Sequence, residues 1–156
     1  LEHIFVHEEC VQAEWIDYNN HMNVAFYVLV FDHATDALLD KVGLDANYRK
    51  EQEKSIFVVE SHVSYEDEVT VNEPLLIKTW LLGVDQKRLH IFHEMYRKNT
   101  NVRCATNEIM ALHVDTVMRK TAIISEEIQI RLQNGVNDSL RTGSPEGCGR
   151  SIQKLD

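Results

Sequence analysis

The run NVAFYVLVFDHATDALLDK, residues 23–41, contains neither glycine nor proline and is followed by Gly43 as a C-terminal stop. It predicts a long helix with unlike halves. Residues 24–31 are apolar all round, which on a helix means burial on every side. In the second half Asp32, Asp36 and Asp40 recur every fourth residue and form a wet stripe. One end is therefore expected deep in the protein, and it carries the polar decapeptide EWIDYNNHMN, residues 14–23. After a polar stretch over 44–54, read as a short helix with loop, the hydrophobic period changes to two. Strands are expected over 55–65, 75–84, 88–98 and 102–115, following a first strand over 4–13. Asp85-Gln86-Lys87 and Asn99-Thr100-Asn101 read as hairpin turns. A last helix is expected over 123–134, capped by Ser125. Wrapping one curved, mostly antiparallel sheet around the apolar helix is the economical way to cover it, so the fold class is α+β.

At 156 residues and 44% hydrophobic content the chain suits a single domain, expected over 1–134, with a Gly- and Ser-containing tail over 135–156 read as loop or partly disordered. No apolar run reaches membrane-spanning length, and Leu1-Glu2-His3 begins no signal pattern. The expectation is a soluble, cytoplasmic protein without a membrane partner. Cys10, Cys104 and Cys148 are odd in number and lack CxxC spacing, which argues against a disulfide framework and a thiolate metal site. A net charge of −9 opposes a phosphate backbone, so nucleic acid is not an expected partner. His90 and His93, three apart on a predicted strand, point to opposite faces, and no metal centre is expected from them with His113.

The decapeptide offers more hydrogen-bonding chemistry than one helix cap needs. A buried helix N-terminus presents unpaired N–H groups and the positive end of the dipole, which favours an oxygen gaining negative charge. Asp17, a few residues ahead, supplies a carboxylate as nucleophile or as general base for a water. Asn and Asp before a helix also serve as ordinary caps. Only one of Asp17, Asn19, Asn20 and Asn23 can fill that role, however, and His21 adds a titratable group.

The stretch WIDYNNHMNVAFYVLVFDHATD resembles the signature of the hotdog-fold acyl-CoA thioesterases of the 4-hydroxybenzoyl-CoA thioesterase group, roughly D-x-x-G-H-x-N-x-x-x-Y. Asp17 falls on the catalytic aspartate, His21 and Asn23 on H-x-N, and Tyr27 on the tyrosine. The likeness runs from about residue 5 to 128, including FVVESHVSYEDEV, DQKRLHIFHEMY and ATNEIMALHVD. It implies a hotdog fold, a homodimer or dimer of dimers with sites at the interface, an acyl-CoA substrate and no cofactor. The backbone N–H around Val24 would polarise the thioester carbonyl, and Asp17 would attack it or activate water. Asn23 and Tyr27 would shape the site. Asn20 departs from the pattern's glycine, keeping tolerance for a left-handed backbone while adding a side chain that could bond the ligand.

On the second predicted strand, Glu60 and His62 are expected on the same face as Ile56 and Val58, either wet or lining the pocket opposite Asp17. The fuller pattern EWIDYNNHMN with VGLDANYR and VESHVSY resembles the thioesterases associated with carnitine dehydrogenase, which implies betainyl-CoA. Trp15, Tyr18, Phe26, Tyr65 and Trp80 are then candidate aromatic faces for a quaternary ammonium. Lys87 and Arg88, or Arg119 and Lys120, are candidate contacts for the CoA phosphates. The competing readings are a hydroxyacyl thioester dehydratase, which His21 keeps open, and a non-catalytic acyl-CoA-binding module.

Overall fold

The computed structural model of the chain describes residues 5–156. The first position of the strand predicted over 4–13 lies outside the described residues. That strand is shorter than predicted: β1 spans Phe5–Cys10, and the chain then turns through a single 3-10 turn, Ala13–Trp15. The long helix α1 spans Val24–Val42, and the short helix α2 spans Ala46–Gln52. The strands β2 Lys54–Tyr65, β3 Pro74–Val84, β4 Arg88–Arg97 and β5 Val102–Asp115 follow, then a two-residue β6, Lys120–Thr121. The last helix, α3, spans Glu126–Ser139.

All strand pairings are antiparallel, in the order β1-β3-β4-β5-β2, with β6 against β5. The sheet curls about α1 in the hotdog arrangement. Two adjoining apolar clusters hold it there. Tyr27, Val30, Phe31 and Ala34 pack with Trp15, Leu75, Ile77 and Met95, while Leu38, Leu39 and Val42 pack with Leu81, Leu89, Ala111 and α3 residues Ile128 and Leu132. Fully burying one such Leu or Phe side chain contributes about 1.5–3 kcal/mol.

Three expectations need correction. Burial of residues 24–31 on every side does not hold within one chain: Val24 is 56% exposed and Val28 43%, because the sheet covers one side of the helix and leaves this flank against the unpaired edge of β2. Ser125 occupies the N-cap position of α3, but its side chain makes no capping bond. That helix also continues through Gly135 to Ser139, where loop is predicted; the glycine lies against Leu81 and Phe5, so its lack of a side chain serves close packing on the sheet. Beyond it, Gly149 N–H donates to Glu108 at 2.7 Å and Arg103 donates to the Glu146 carbonyl at 2.8 Å, which straps this part of the tail across the outer face of the sheet. Among the described residues no helix is long and apolar enough to cross a membrane.

Candidate active site

The decapeptide folds back on itself before α1 begins. Ile16 and Met22 form an antiparallel bridge, Asn20 N–H donates to the Asp17 carbonyl at 3.0 Å, and Met22 N–H anchors the loop to the Val69 carbonyl at 2.8 Å. The reversal requires a left-handed residue, and Asn20 takes it at φ 62°. Asparagine is tolerant there because its short polar side chain offsets part of the steric cost, so the departure from glycine leaves the loop shape intact.

Asn23 joins the carboxylate to the helix. Its Oδ1 accepts the Ala25 N–H at 3.0 Å as the helix cap, and its Nδ2 donates to Asp17 Oδ2 at 3.0 Å. The amide orientation follows from chemistry, since only oxygen can accept from an N–H and only nitrogen can donate to a carboxylate. Asp17 Oδ1 takes the Asn19 N–H at 2.8 Å. These two donors, the Asn19 amide foremost and then Asn23, hold the Asp17 carboxyl below its ordinary value, so it is ionised at neutral pH.

The first three amides of α1 are not equivalent. Ala25 N–H is capped by Asn23 Oδ1, and Phe26 N–H reaches the Asn23 carbonyl at 3.0 Å. Val24 N–H makes no hydrogen bond among the described residues. It belongs to the first residue of a long helix, at the positive end of the dipole, and Asn23, the residue before it, bonds the ionised Asp17 carboxylate; an amide so placed can polarise a carbonyl oxygen.

The other predicted site residues fall into two groups. His21 and Tyr27 stay near the helix start. The His21 ring lies 3.7 Å from Glu68. Tyr27 is buried, donates to the Asp67 carbonyl at 3.2 Å and packs edge-on against Tyr65; burial pushes its phenol up to about 12. Trp15 stacks on Phe26 at 5.6 Å, Tyr65 donates to the Val24 carbonyl at 3.3 Å, and Tyr18 is 91% exposed. Trp15, Phe26 and Tyr65 therefore lie at the helix start, and Tyr18 is on the loop that precedes it. Trp80 does not lie there: its indole donates to Glu94 on the outer face of the sheet.

Glu60 and His62 are also on the outer face. Val59 is an extra residue in β2, where the register with β5 shifts between Val58 and Glu60. Such a bulge reverses the alternation beyond it. Ile56 and Val58 therefore face α1, but past the bulge Ser61 and Val63 do so, while Glu60 and His62 line a cavity of about 180 Å³ with His90 and Glu108. Lys87 and Arg88 lie in the β3–β4 hairpin, near the C-terminal end of α1, on the order of 25 Å along the helix from its start. Arg88 is paired with Asp85 at 2.6 Å. Of the alternative phosphate contacts, Arg119 sits over the Phe57 ring and Lys120 is in β6.

A groove of about 390 Å³ runs from Ala25 along the exposed flank of α1, between Val28 and Leu29 on the helix and Val58, Ser61 and Asn107 on the sheet. Asp32 lines it. Sequence reasoning placed Asp32 on a wet stripe and passed over Ser61 and Asn107. The signal for Ser61 was hidden by the same bulge.

The buried strand histidines are accounted for by hydrogen bonding. His93 lies between Thr35 Oγ1 at 2.9 Å and Thr79 Oγ1 at 2.8 Å. Because Thr35 spends its proton on the Phe31 carbonyl, it accepts from His93 Nε2–H, leaving Nδ1 to accept from Thr79. His113 donates to the Ala122 carbonyl through Nδ1 and accepts from Tyr48.

Comparison with known proteins agrees with this fold. Residues 11–132 match the thioesterase-like superfamily. The chain is 38% identical over 146 residues to a betainyl-CoA thioesterase of Pseudomonas aeruginosa, across 94% of this chain and 92% of that one. It is 36% identical over 150 residues to an L-carnitine dehydrogenase/betainyl-CoA thioesterase of Agrobacterium fabrum, spanning 96% of this chain but 30% of the longer protein. A Staphylococcus aureus protein solved in complex with CoA shares the fold with a TM-score of 0.89 at 24% identity, over 97% and 96% of the two chains. A Pseudomonas putida KT2440 protein carrying a thioesterase assignment gives 0.84 at 35% identity, over 98% and 97%. The matched span takes in the whole loop from Asp17 to Asn23 together with α1 and strands β2 to β6, and by that match the chain belongs to the thioesterase-like superfamily.

Proposed function

We propose that this protein hydrolyses the thioester bond of a small acyl-CoA, with betainyl-CoA as substrate. The observation that carries the reading is the unpartnered Val24 N–H beside the ionised Asp17, the two joined through Asn23. The carbonyl oxygen of the thioester takes the Val24 N–H. Asp17 accepts a proton from a water as it attacks the carbonyl carbon, and the tetrahedral intermediate collapses by expelling the CoA thiolate, which gains a proton. The products are the free carboxylate and CoA. A base placed in this way supplies about 10²–10⁴ of the rate, and one oxyanion donor about 10²–10³. Direct attack by Asp17 instead would form a mixed anhydride, and its hydrolysis at the aspartyl carbon would leave ¹⁸O from labelled water in the Asp17 carboxylate after a single turnover, so label found there would establish the anhydride route.

The names of the similar proteins support the acyl group and its carnitine connection, and so does the chemistry around the helix start. A quaternary ammonium offers no hydrogen-bond donor and is held by aromatic faces and diffuse negative charge. Phe26, Tyr65 and Tyr18 supply the former, with Trp15 stacked behind Phe26, and Asp32 with the net charge of −9 the latter. The domain is expected to work as a homodimer: β2 is a long unpaired edge strand whose Phe57, Val58 and Val59 are exposed beside Val24 and Val28, a surface that a second copy would cover. Lys87 and Arg88 reach CoA phosphates only from a second chain. A CoA thioester substrate fits a cytoplasmic location.

Thiol release from short-chain, aromatic and betainyl CoA esters, measured with wild type and Asp17→Asn, tests the reading. Preference for the betainyl ester, lost in the variant, supports it. Binding without thiol release, or loss of water from a hydroxyacyl ester, would replace it with an acyl-CoA-binding module or a dehydratase. A Lys87→Ala/Arg88→Ala variant with an unchanged KM removes the hairpin from the site.

A further inference from the structure

Away from the loop that carries Asp17, β1 and α1 bring together two imidazoles and a carboxylate. His7 and Glu9 lie two apart on β1 and so share the face turned to the helix, while His33 comes from the middle of α1. His33 Nδ1 lies 2.9 Å from both oxygens of Glu9, and His7 Nε2 lies 3.0 Å from Glu9 Oε2. The imidazole rings meet edge to face with centroids 6.4 Å apart. One donor atom from each of the three residues falls within 4.8 Å of the other two. The side chains of His7, Glu9 and His33 are 25%, 18% and 39% exposed, so they are held by packing yet open to an ion from solvent.

We propose that His7, Glu9 and His33 form a binding site for one divalent transition-metal ion of the zinc type, which ties the edge strand β1 to α1. Donor pairs around a tetrahedral zinc ion, at about 2.0–2.2 Å from the metal, stand roughly 3.3 Å apart. The two imidazole–carboxylate pairs are already within a few tenths of that spacing, and the two imidazole nitrogens, which lie within 4.8 Å of each other, would close toward it around an ion. Two nitrogens and one oxygen suit zinc, nickel, cobalt or copper, whereas magnesium and calcium take oxygen ligands. Three protein ligands leave one position for water. The negative net charge of the chain favours the cation. Neither histidine stands out in the sequence, because the two lie far apart in it and only the packing of β1 on α1 unites them.

Zinc titration of the full chain by calorimetry in chelator-treated buffer tests the site, with thermal melts alongside. Wild type is expected to bind one Zn²⁺ per chain with a dissociation constant below about 10 μM, and to melt about 5 °C higher at a hundredfold excess over that constant. His33→Gln, which keeps an amide to bond Glu9, and the near-isosteric Glu9→Gln should each weaken binding at least tenfold while retaining the metal-free melting curve to within about 2 °C. Cys10→Ser should bind as wild type, since Cys10 lies on the opposite face of β1. Absence of binding below about 1 mM overturns the proposal. So does unchanged affinity in both His33→Gln and Glu9→Gln, or a loss confined to Cys10→Ser.

Discussion

The two ends of α1 are finished in opposite ways. At the C-terminal end Gly43, at φ 89°, turns its N–H onto the carbonyls of Leu39 and Asp40, and Leu44 N–H returns to Leu39 at 2.9 Å. Leu38, Leu39 and Val42 are buried against α3 and the sheet. At the N-terminal end one amide stays without a partner, an ionised carboxylate sits beside it, and Val24, Val28 and Leu29 face outward. The closed end satisfies its backbone and buries its side chains, which is what stability asks of a helix terminus. The open end keeps an unsatisfied donor and uncovered apolar surface, which raise the energy of the isolated chain and which, on the proposed function, a substrate oxygen and a second copy would satisfy. The same helix is therefore closed at one end and open at the other.

That contrast can be broken at either end. The largest effect is expected at the open end: Asp17→Asn should lower kcat for thioester hydrolysis about 10³-fold while the melting temperature moves by less than about 2 °C. A variant with near-normal turnover would take the chemistry away from this end. At the closed end, Leu38→Ala should cost about 2–5 kcal/mol in urea unfolding through the cavity it leaves, with KM unchanged if the protein is assayed folded.

Midway along the helix, His93 gives the stability a pH dependence. Full burial lowers its imidazole from 6.5 to about 3. Between those values the unfolded chain takes up a proton that the fold refuses, so stability is intact above pH 6.5 and falls as the pH drops toward 3, by up to about 1.4 kcal/mol per unit. Equilibrium unfolding at pH 7, 6, 5 and 4 measures this slope, and His93→Gln should flatten it. A slope unchanged in that variant would assign the acid sensitivity elsewhere. The smallest effect is expected from Asn23→Ala. Loss of the cap should cost about 1 kcal/mol. Loss of the donor to Asp17 should raise that carboxyl, moving the acid limb of the pH–rate profile upward.

The sheet order was not legible in the sequence, but the elements largely were. Four strands and α1 were recoverable within a residue or two, because period and punctuation are local signals. The loop from Asp17 to Asn23 was legible as a motif, and its departure at Asn20 agrees with the left-handed turn that the position adopts. The face carrying Glu60 and His62 was not, since a single unpaired residue, Val59, reverses the alternation and no residue type announces it. Trp80 went the same way, an aromatic residue whose partner Glu94 is visible only across the hairpin.

By itself the sequence determined where helix and strands lie, that a carboxylate and a helix start belong together, and which family the chain joins, because these depend on residues near one another along the chain. Only the tertiary structure decided which amide remains open, which flank of α1 stays uncovered, which side of the sheet each strand residue faces, and that His7 and Glu9 meet His33. Those outcomes depend on register and on packing between distant segments, where one inserted residue changes every contact beyond it.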